Sequence, residues 1–157
     1  MSVLEIGEIG GIEYRGEELQ AGIEKFAPGA TTGHSEDAVH VDSGQWLNVA
    51  QGLRERAEFG FDALTLLTTV DYIDHFEVVY HLRSLSHNRS GVIKLRCGEG
   101  RGDASVPSVI SVWRGADLQE REAYDLMGVR FEGHPNMKRL MLWEGFEGHP
   151  LRKDYLR

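Results

Sequence analysis

The chain has 157 residues, 41% of them hydrophobic, with 17 Lys and Arg against 25 Asp and Glu and a net charge of −8. That length gives room for one compact domain with its own core rather than two. The acidic balance weighs against a nucleic-acid partner, and Cys97, the single cysteine, excludes a disulfide framework or a Cys-ligated cluster built by this chain alone.

Met1 to Gly11 is acidic and lacks the basic and apolar regions of a leader peptide. The longest apolar-leaning stretch, Ala63 to Val70, falls far short of the roughly 20 apolar residues of a membrane span. Any membrane association is therefore expected to run through a partner. Arg15 to Phe26 reads as a first helix, ended by Pro28-Gly29. Ala38 to Val41 fits a short strand. Asp42 or Ser43 can cap a second helix reaching about Phe59, with Trp46, Val49, Ala50, Leu53 and Ala57 on one face.

Three strand-like runs follow. Leu64 to Tyr72 is expected to place Leu64, Leu66, Val70 and Tyr72 on one face, with Thr68 among them. In Phe76 to Arg83, Phe76, Val78, Tyr80 and Leu82 alternate with Glu77, Val79, His81 and Arg83, the pattern of a half-buried strand. In Val92 to Cys97, Ile93, Leu95 and Cys97 oppose Lys94 and Arg96. The short connections suit an antiparallel meander covered by the helices. Gly98 to Asp103 reads as a flexible loop, since it has neither the spacing nor the following helix of a nucleotide loop. Ser108 to Trp113 is apolar and of undetermined type. Asp117 looks like an N-cap, with Glu120 completing a capping-box variant, for a helix that runs to Met127 and stops at Gly128.

Beyond Gly128 the periodicity disappears while the apolar residues continue: Phe131, Met137, Leu140, Met141, Leu142, Trp143, Phe146, Leu151 and Tyr155. Residues 129–157 carry a net charge of +2, against −10 for the rest. The fold class expected is α+β: a small, mostly antiparallel sheet covered by helices over residues 1–128, and an extended irregular C-terminal arm over 129–157. Such an arm either wraps its own domain or lies on another protein. Phe-Glu-Gly-His-Pro occurs twice, at Phe131–Pro135 and Phe146–Pro150, and reads as two similar turns.

Few residues point to chemistry. His75, His81 and His87 are six apart, but a loop position for His87 favours solvent-facing histidines over a metal site. His134 and His149 could form a proton relay or ligand pair. The alternative is structural, with Gly supplying a bend and Pro holding the His extended. Glu120, Arg121, Glu122 and Asp125 crowd one short helix. Acid–base work is one reading; an ion-pair network is the simpler one, with Arg121 and Asp125 spaced to pair along the helix. Buried members need partners, and Arg139, Arg152 and Lys153 are available, so the helix is expected to be stapled to its own tail or a neighbour's.

Glu120-Arg121-Glu122-Ala123-Tyr124-Asp125-Leu126-Met127-Gly128-Val129-Arg130-Phe131-Glu132-Gly133-His134-Pro135, then Gly148-His149-Pro150-Leu151-Arg152-Lys153-Asp154-Tyr155, resembles the signature of the C subunit of NADH-quinone oxidoreductase, respiratory complex I. That family includes the J subunit of the plastid and cyanobacterial NAD(P)H-quinone oxidoreductase. Asp71-Tyr72, Phe76 to Leu82 and Val106-Pro107-Ser108 look like weaker landmarks. The chain departs from the family pattern at Leu118, at Asn136-Met137-Lys138-Arg139 and at Glu144-Gly145-Phe146, which leaves the branch and the electron donor open.

The resemblance implies a peripheral-arm scaffold subunit without a cofactor, in an assembly whose other chains carry FMN, Fe–S clusters and quinone. It also implies a hetero-oligomer with the quinone-site large subunit and the Fe–S subunits, at the cytoplasmic membrane face or its organellar equivalent. No catalytic, cofactor-binding or metal residue is expected here. The interface is expected at Glu120, Arg121, Glu122, Asp125, Gly128, Phe131, Gly133, His134, Pro135, Arg139, Gly148, Pro150, Leu151, Arg152, Lys153 and Asp154. Two rivals remain: the homologous subunit of a membrane-bound [NiFe] hydrogenase or a ferredoxin- or F420H2-driven relative, and a stand-alone enzyme using Glu122, Asp125 and His134.

Overall fold

The computed structural model describes residues 11–155; the acidic N-terminal stretch before Gly11 lies outside them. In chain order the elements are β1 (Ile12–Glu13), α1 (Gly16–Phe26), β2 (Thr31–His34), β3 (Ala38–Val41), α2 (Trp46–Glu55), β4 (Ala63–Asp71), β5 (Phe76–Ser84), β6 (Arg89–Cys97), β7 (Ser105–Pro107), α3 (Ala116–Met127) and β8 (Arg130–Glu132). The class is α+β. The main sheet has the order β2-β3-β6-β5-β4. β4, β5 and β6 form the expected antiparallel meander. β1 and β3 share the other edge of β6 and run parallel to it, so the sheet is mixed.

The core follows from the two periodicities. Leu19 and Ile23 of α1 and Trp46, Val49, Ala50 and Leu53 of α2 are buried with Phe76, Val78, Tyr80 and Leu82 of β5 and Ile93 and Leu95 of β6. α2 stops at Glu55 rather than at Phe59, and Phe59 turns back to stack in the core with Phe61. β5 lies between β6 and β4, and its second face is partly buried as well. Glu77 and Val79 are buried there, opposite Arg96 and Lys94 of β6, and Glu77 lies 3.8 Å from the Lys94 ammonium.

β4 corrects the alternation read from sequence. Leu64 pairs with Leu82 but Leu66 pairs with His81, so Thr65 is an extra residue and a bulge. A bulge shifts the alternation by one. Leu64 faces the core, and beyond the bulge Leu67 and Asp71 do, while Leu66, Val70 and Tyr72 face solvent. The start of α3 is corrected as well. Gly115 is the residue before the helix and Asp117 lies within its first turn, so Glu120 closes no capping box and its carboxylate is buried instead.

The boundary expected at residue 128 falls inside packed structure. β8 pairs in parallel with β7, and Val129 and Phe131 are 0% and 2% exposed. Residues 133–155 form a strap that contains only turns and bends. Truncation should locate this boundary. Removing residues 133–157 keeps the buried core of sheet and helices, strips Met137 and Arg152 from its surface and hydrates Asp71 and the carboxylates of α3. Removing 129–157 also deletes Val129 and Phe131, at about 3–5 kcal/mol for the aromatic alone. Thermal unfolding is expected to stay cooperative in the first truncation and to be lost or strongly lowered in the second.

Candidate functional site

α3 presents two buried carboxylates, and each meets a different partner. Glu120, fully buried, accepts from the Ser108 hydroxyl at 2.6 Å and the Val109 N–H at 2.8 Å. Burial pushes its carboxyl up, and those two donors together with His134 only partly offset the effect. Asp125 is the centre of the strap. One of its oxygens accepts three consecutive amides, of Leu140 (3.2 Å), Met141 (2.7 Å) and Leu142 (2.9 Å). The other lies 2.9 Å from Arg139 Nη1. Burial alone would raise this carboxyl too, but the amide of Leu142, Arg139 and the amides of Met141 and Leu140 outweigh it and hold it below the usual range.

Arg139 has more donors than Asp125 can use. Its Nη1 also donates to the Asp125 carbonyl, and its Nη2 donates to the carbonyls of Phe146 (2.8 Å) and Gly148 (2.9 Å). One guanidinium thus closes the loop 140–148 on the end of α3. Arg121 donates to the carbonyls of Lys138 and Arg139 instead of pairing with Asp125 along the helix. The expected Arg121–Asp125 pair is replaced because the strap's cation reaches the buried carboxylate and the helix's own cation stays at the rim.

The last turn of the strap is fastened to the sheet. Asp71, at the end of β4, receives Arg101 Nη1 at 2.7 Å and Nη2 at 3.1 Å, the Lys153 N–H at 2.9 Å and the Ile73 N–H at 2.8 Å. The Arg101 guanidinium, with the two amides, holds the Asp71 carboxyl well below the usual carboxylate range despite its burial. Arg101 also pairs with Asp154 at 2.8 Å. Arg152 donates from Nε to the Met127 carbonyl at 2.7 Å and caps the helix C-terminus, where Gly128 takes the left-handed φ of 75°. Both Arg101 and Arg152 lie over the Phe76 ring, 4.9 Å from its centroid.

The other expected residues fall into place around these anchors. Phe131 is in the core, while Gly133 and Pro135 are exposed at the first turn of the strap and Pro150 is half-buried at the second. Leu151 is exposed, although its N–H reaches the Leu126 carbonyl. Lys153 contributes its backbone rather than its charge. Glu122 is exposed, Asp125 lies under strap amides and His134 turns to Asp117, so the residues of the stand-alone enzyme reading do not converge. His134 and His149 meet opposite ends of α3 and form no relay pair. Among the described residues no group of three or more His, Cys, Asp or Glu is arranged to hold a metal, and no helix is long and apolar enough to cross a membrane. Burial pushes the Cys97 thiol up to about 11.

Asp71, Arg101 and Ser108 are the members that patterning does not single out. Asp71 and Ser108 stand out in the sequence only as landmarks of the resemblance, and Arg101 only within the Gly-rich loop. Their partners lie 82, 53 and 12 positions away, beyond the reach of any local period.

The family model for the respiratory-chain NADH dehydrogenase 30 kDa subunit matches residues 39–157. The C subunit of NADH-quinone oxidoreductase from Rhodopseudomonas palustris (strain TIE-1) is 40% identical over 148 residues, covering 92% of this chain and 71% of that protein. The corresponding subunit of Roseiflexus sp. (strain RS-1) is 40% identical over 141 residues, 88% of this chain and 80% of that one. Among solved structures, a trypsin-resistant fragment of Nqo5 aligns with a TM-score of 0.55 at 27% identity, covering 63% of this chain and 80% of the fragment. A chain of the membrane-bound sulfane sulfur reductase, an archaeal respiratory membrane complex, aligns with a TM-score of 0.70 at 27% identity, covering 89% and 85%.

The class defined by these matches is that of subunits of multi-subunit respiratory oxidoreductases. Within it, the chain belongs to the respiratory-chain NADH dehydrogenase 30 kDa subunit family, the family expected from residues 120–155.

Two measurements check the site. Arg139→Met leaves Asp125 buried without its counter-charge and should cost about 3–5 kcal/mol in chemical denaturation. The second concerns pH. The Asp71 carboxyl is held below its unfolded value of about 3.9, so its stabilisation is fully present above that pH and is lost as the pH falls toward the folded value. Glu120 acts in the opposite sense, its cost fading as the pH falls. Asp71→Asn should therefore be clearly less stable than the parent at pH 7, with the gap narrowing progressively below about pH 4.

Proposed function

We propose that the chain is a cofactor-free structural subunit of a proton-translocating NADH-quinone oxidoreductase, set in its peripheral arm beside the quinone-site and Fe–S subunits. FMN, the Fe–S clusters and quinone belong to those partners, and this chain contributes shape and contacts rather than a reacting group. It lies at the cytoplasmic face of the membrane, or the equivalent organellar face, held there through its partners. Residues up to Glu132 form the folded body and the strap is the docking element.

The observation that carries this reading is the 40% identity to the Rhodopseudomonas palustris protein over 92% of the chain. The strap supports it physically. Its polar groups are spent on α3 and the sheet, while Leu140, Met141, Trp143 and Leu151 remain exposed, Trp143 at 71%. Large apolar side chains grouped on one rigid segment are characteristic of surfaces that a partner covers. A stable interface usually buries about 1,200–2,000 Å² in total, to which a strap of this length can contribute a large share.

A second reading keeps the fold and changes the assembly: a membrane-bound [NiFe] hydrogenase or a ferredoxin- or F420H2-driven relative. The likeness to a chain of the archaeal sulfane sulfur reductase complex favours considering it, because the same fold there serves a respiratory membrane complex of another kind.

Mass spectrometry of the intact assembly from native membranes separates the readings. Co-elution with flavin-bearing, Fe–S and quinone-site subunits is expected. Recovery with a nickel-ligating large subunit would move the chain to the second reading, and recovery without any Fe–S or quinone-site chain would refute both.

A further inference from the structure

The repeated Phe-Glu-Gly-His-Pro segments share a left-handed bend at their glycines. Gly133 and Gly148 take φ of 84° and 85°, a region that glycine enters freely, and each bend delivers a histidine to α3. His134 meets the first turn: its Nε2 is 3.3 Å from the Asp117 carbonyl and 3.0 Å from Asp117 Oδ1. His149 meets the last turn, its Nδ1 2.9 Å from the Asp125 carbonyl. At 1.5 Å per residue the two points are about 12 Å apart along the helix. The repeat is thus a pair of clasps, one at each end of α3.

The partners fix the protonation of each ring. A carbonyl oxygen only accepts, so His149 carries its proton on Nδ1. A backbone N–H only donates, and the Asn136 N–H lies 3.0 Å from His134 Nδ1, so that nitrogen is bare and the proton sits on Nε2. The clasps therefore differ in chemistry. His149 can take a second proton on Nε2 with its clasp bond intact. At His134 the second proton must enter at Nδ1, where it meets the Asn136 N–H head-on.

We infer that the two clasps answer acid differently: protonation of His134 opens the Asn136 turn at the root of the strap, while the His149 clasp stays closed. The surroundings of His134 set the outcome. From α3, Asp117 (Oδ1 at 3.0 Å) and Glu120 (Oε2 at 4.0 Å) face the Nε2 side of the fully buried ring. From the segment after β7, the Ser108 hydroxyl and Val109 N–H occupy the oxygens of Glu120. From β5, the Tyr80 hydroxyl lies in the field of Glu120. On its own segment, the Asn136 N–H faces Nδ1. The imidazolium is thus retained at Asp117, and the bond that gives way is the one to Asn136. That turn leads directly to Lys138 and Arg139, whose carbonyls hold Arg121, so the switch acts where the strap leaves the body. The inference rests on this geometry and not on the assembly proposed above.

The test uses the full chain and 15N NMR. At neutral pH His134 is expected as the Nε2–H tautomer and His149 as the Nδ1–H tautomer. On acidification from pH 7.5 to 5.5, the exchange protection of the Asn136 amide, corrected for intrinsic rate, should fall by tenfold or more. That of the Leu151 amide, bonded to the Leu126 carbonyl, should not change. In His134→Asn the side-chain oxygen can accept the same N–H two residues on without titrating, so protection at Asn136 should become independent of pH. Identical tautomers at the two histidines, or pH-independent protection of Asn136 in the parent chain, would overturn the inference. Both are read on the parent chain, so a variant that fails to fold does not shield it.

Discussion

The path of the strap depends on one carboxylate oxygen that accepts three consecutive amides. Chain without a helix or a sheet ladder must still satisfy its N–H groups, and in the strap Asp125 does this for Leu140, Met141 and Leu142 together. Arg139 supplies the compensating charge and carries two bonds onward to Phe146 and Gly148. A buried carboxylate without a cation would be costly, and a buried cation without acceptors equally so. Placed together they form a polar core for a segment that has no apolar core of its own. The side chains flanking those amides are consequently turned outward, which is why Met141 and Trp143 are among the most exposed apolar residues described.

The same device recurs with different energetics. Asp71 resembles Asp125: an arginine and several amides overcome its desolvation, so both are held as anions. Glu120 is met by a hydroxyl and one amide, with no guanidinium, and burial prevails. Three acids on neighbouring elements thus divide the fastening. Asp71 ties the end of the strap to the sheet edge, Asp125 ties its middle to the end of α3, and Glu120 ties α3 to the segment following β7. The hydrophobic core takes in the sheet, the buried faces of all three helices and Phe131 of β8; these polar contacts fix the strap beyond it.

Much of the body was legible in sequence because its signals are periodic. The alternation in β5 and β6 and the stripe on α2 gave strands and a helix near their observed places. Arg139 stood among three candidate cations, with Arg152 and Lys153, for the buried acids of α3, although Asp125 itself was read as the partner of Arg121. The misreadings have specific causes. The inserted Thr65 inverts the faces of β4, and no alternation pattern reveals a bulge that its own side chain stabilises by bonding the His81 carbonyl. Asp117 and Glu120 have the spacing of a capping box, yet the buried Ser108 and Val109 donors outcompete the helix terminus for Glu120. Arg101 sits among glycines with a positive φ of 62°, and only the folded chain brings it to Asp71 and Asp154.

The part of the sequence that lacks periodicity is the part that most clearly resembles a known family, and the structure offers a physical reason. A helix face or a strand face needs only apolar residues of suitable size, and volume-conserving exchanges cost little. A strap whose path is set by hydrogen bonds and charge needs a specific group at each point: a carboxylate at Asp125, a forked cation at Arg139, a left-handed residue at Gly133 and at Gly148, a ring nitrogen at His134. Its information is carried by identity rather than by pattern. Such a segment is opaque to rules of amphipathicity and recognisable by motif for one and the same reason.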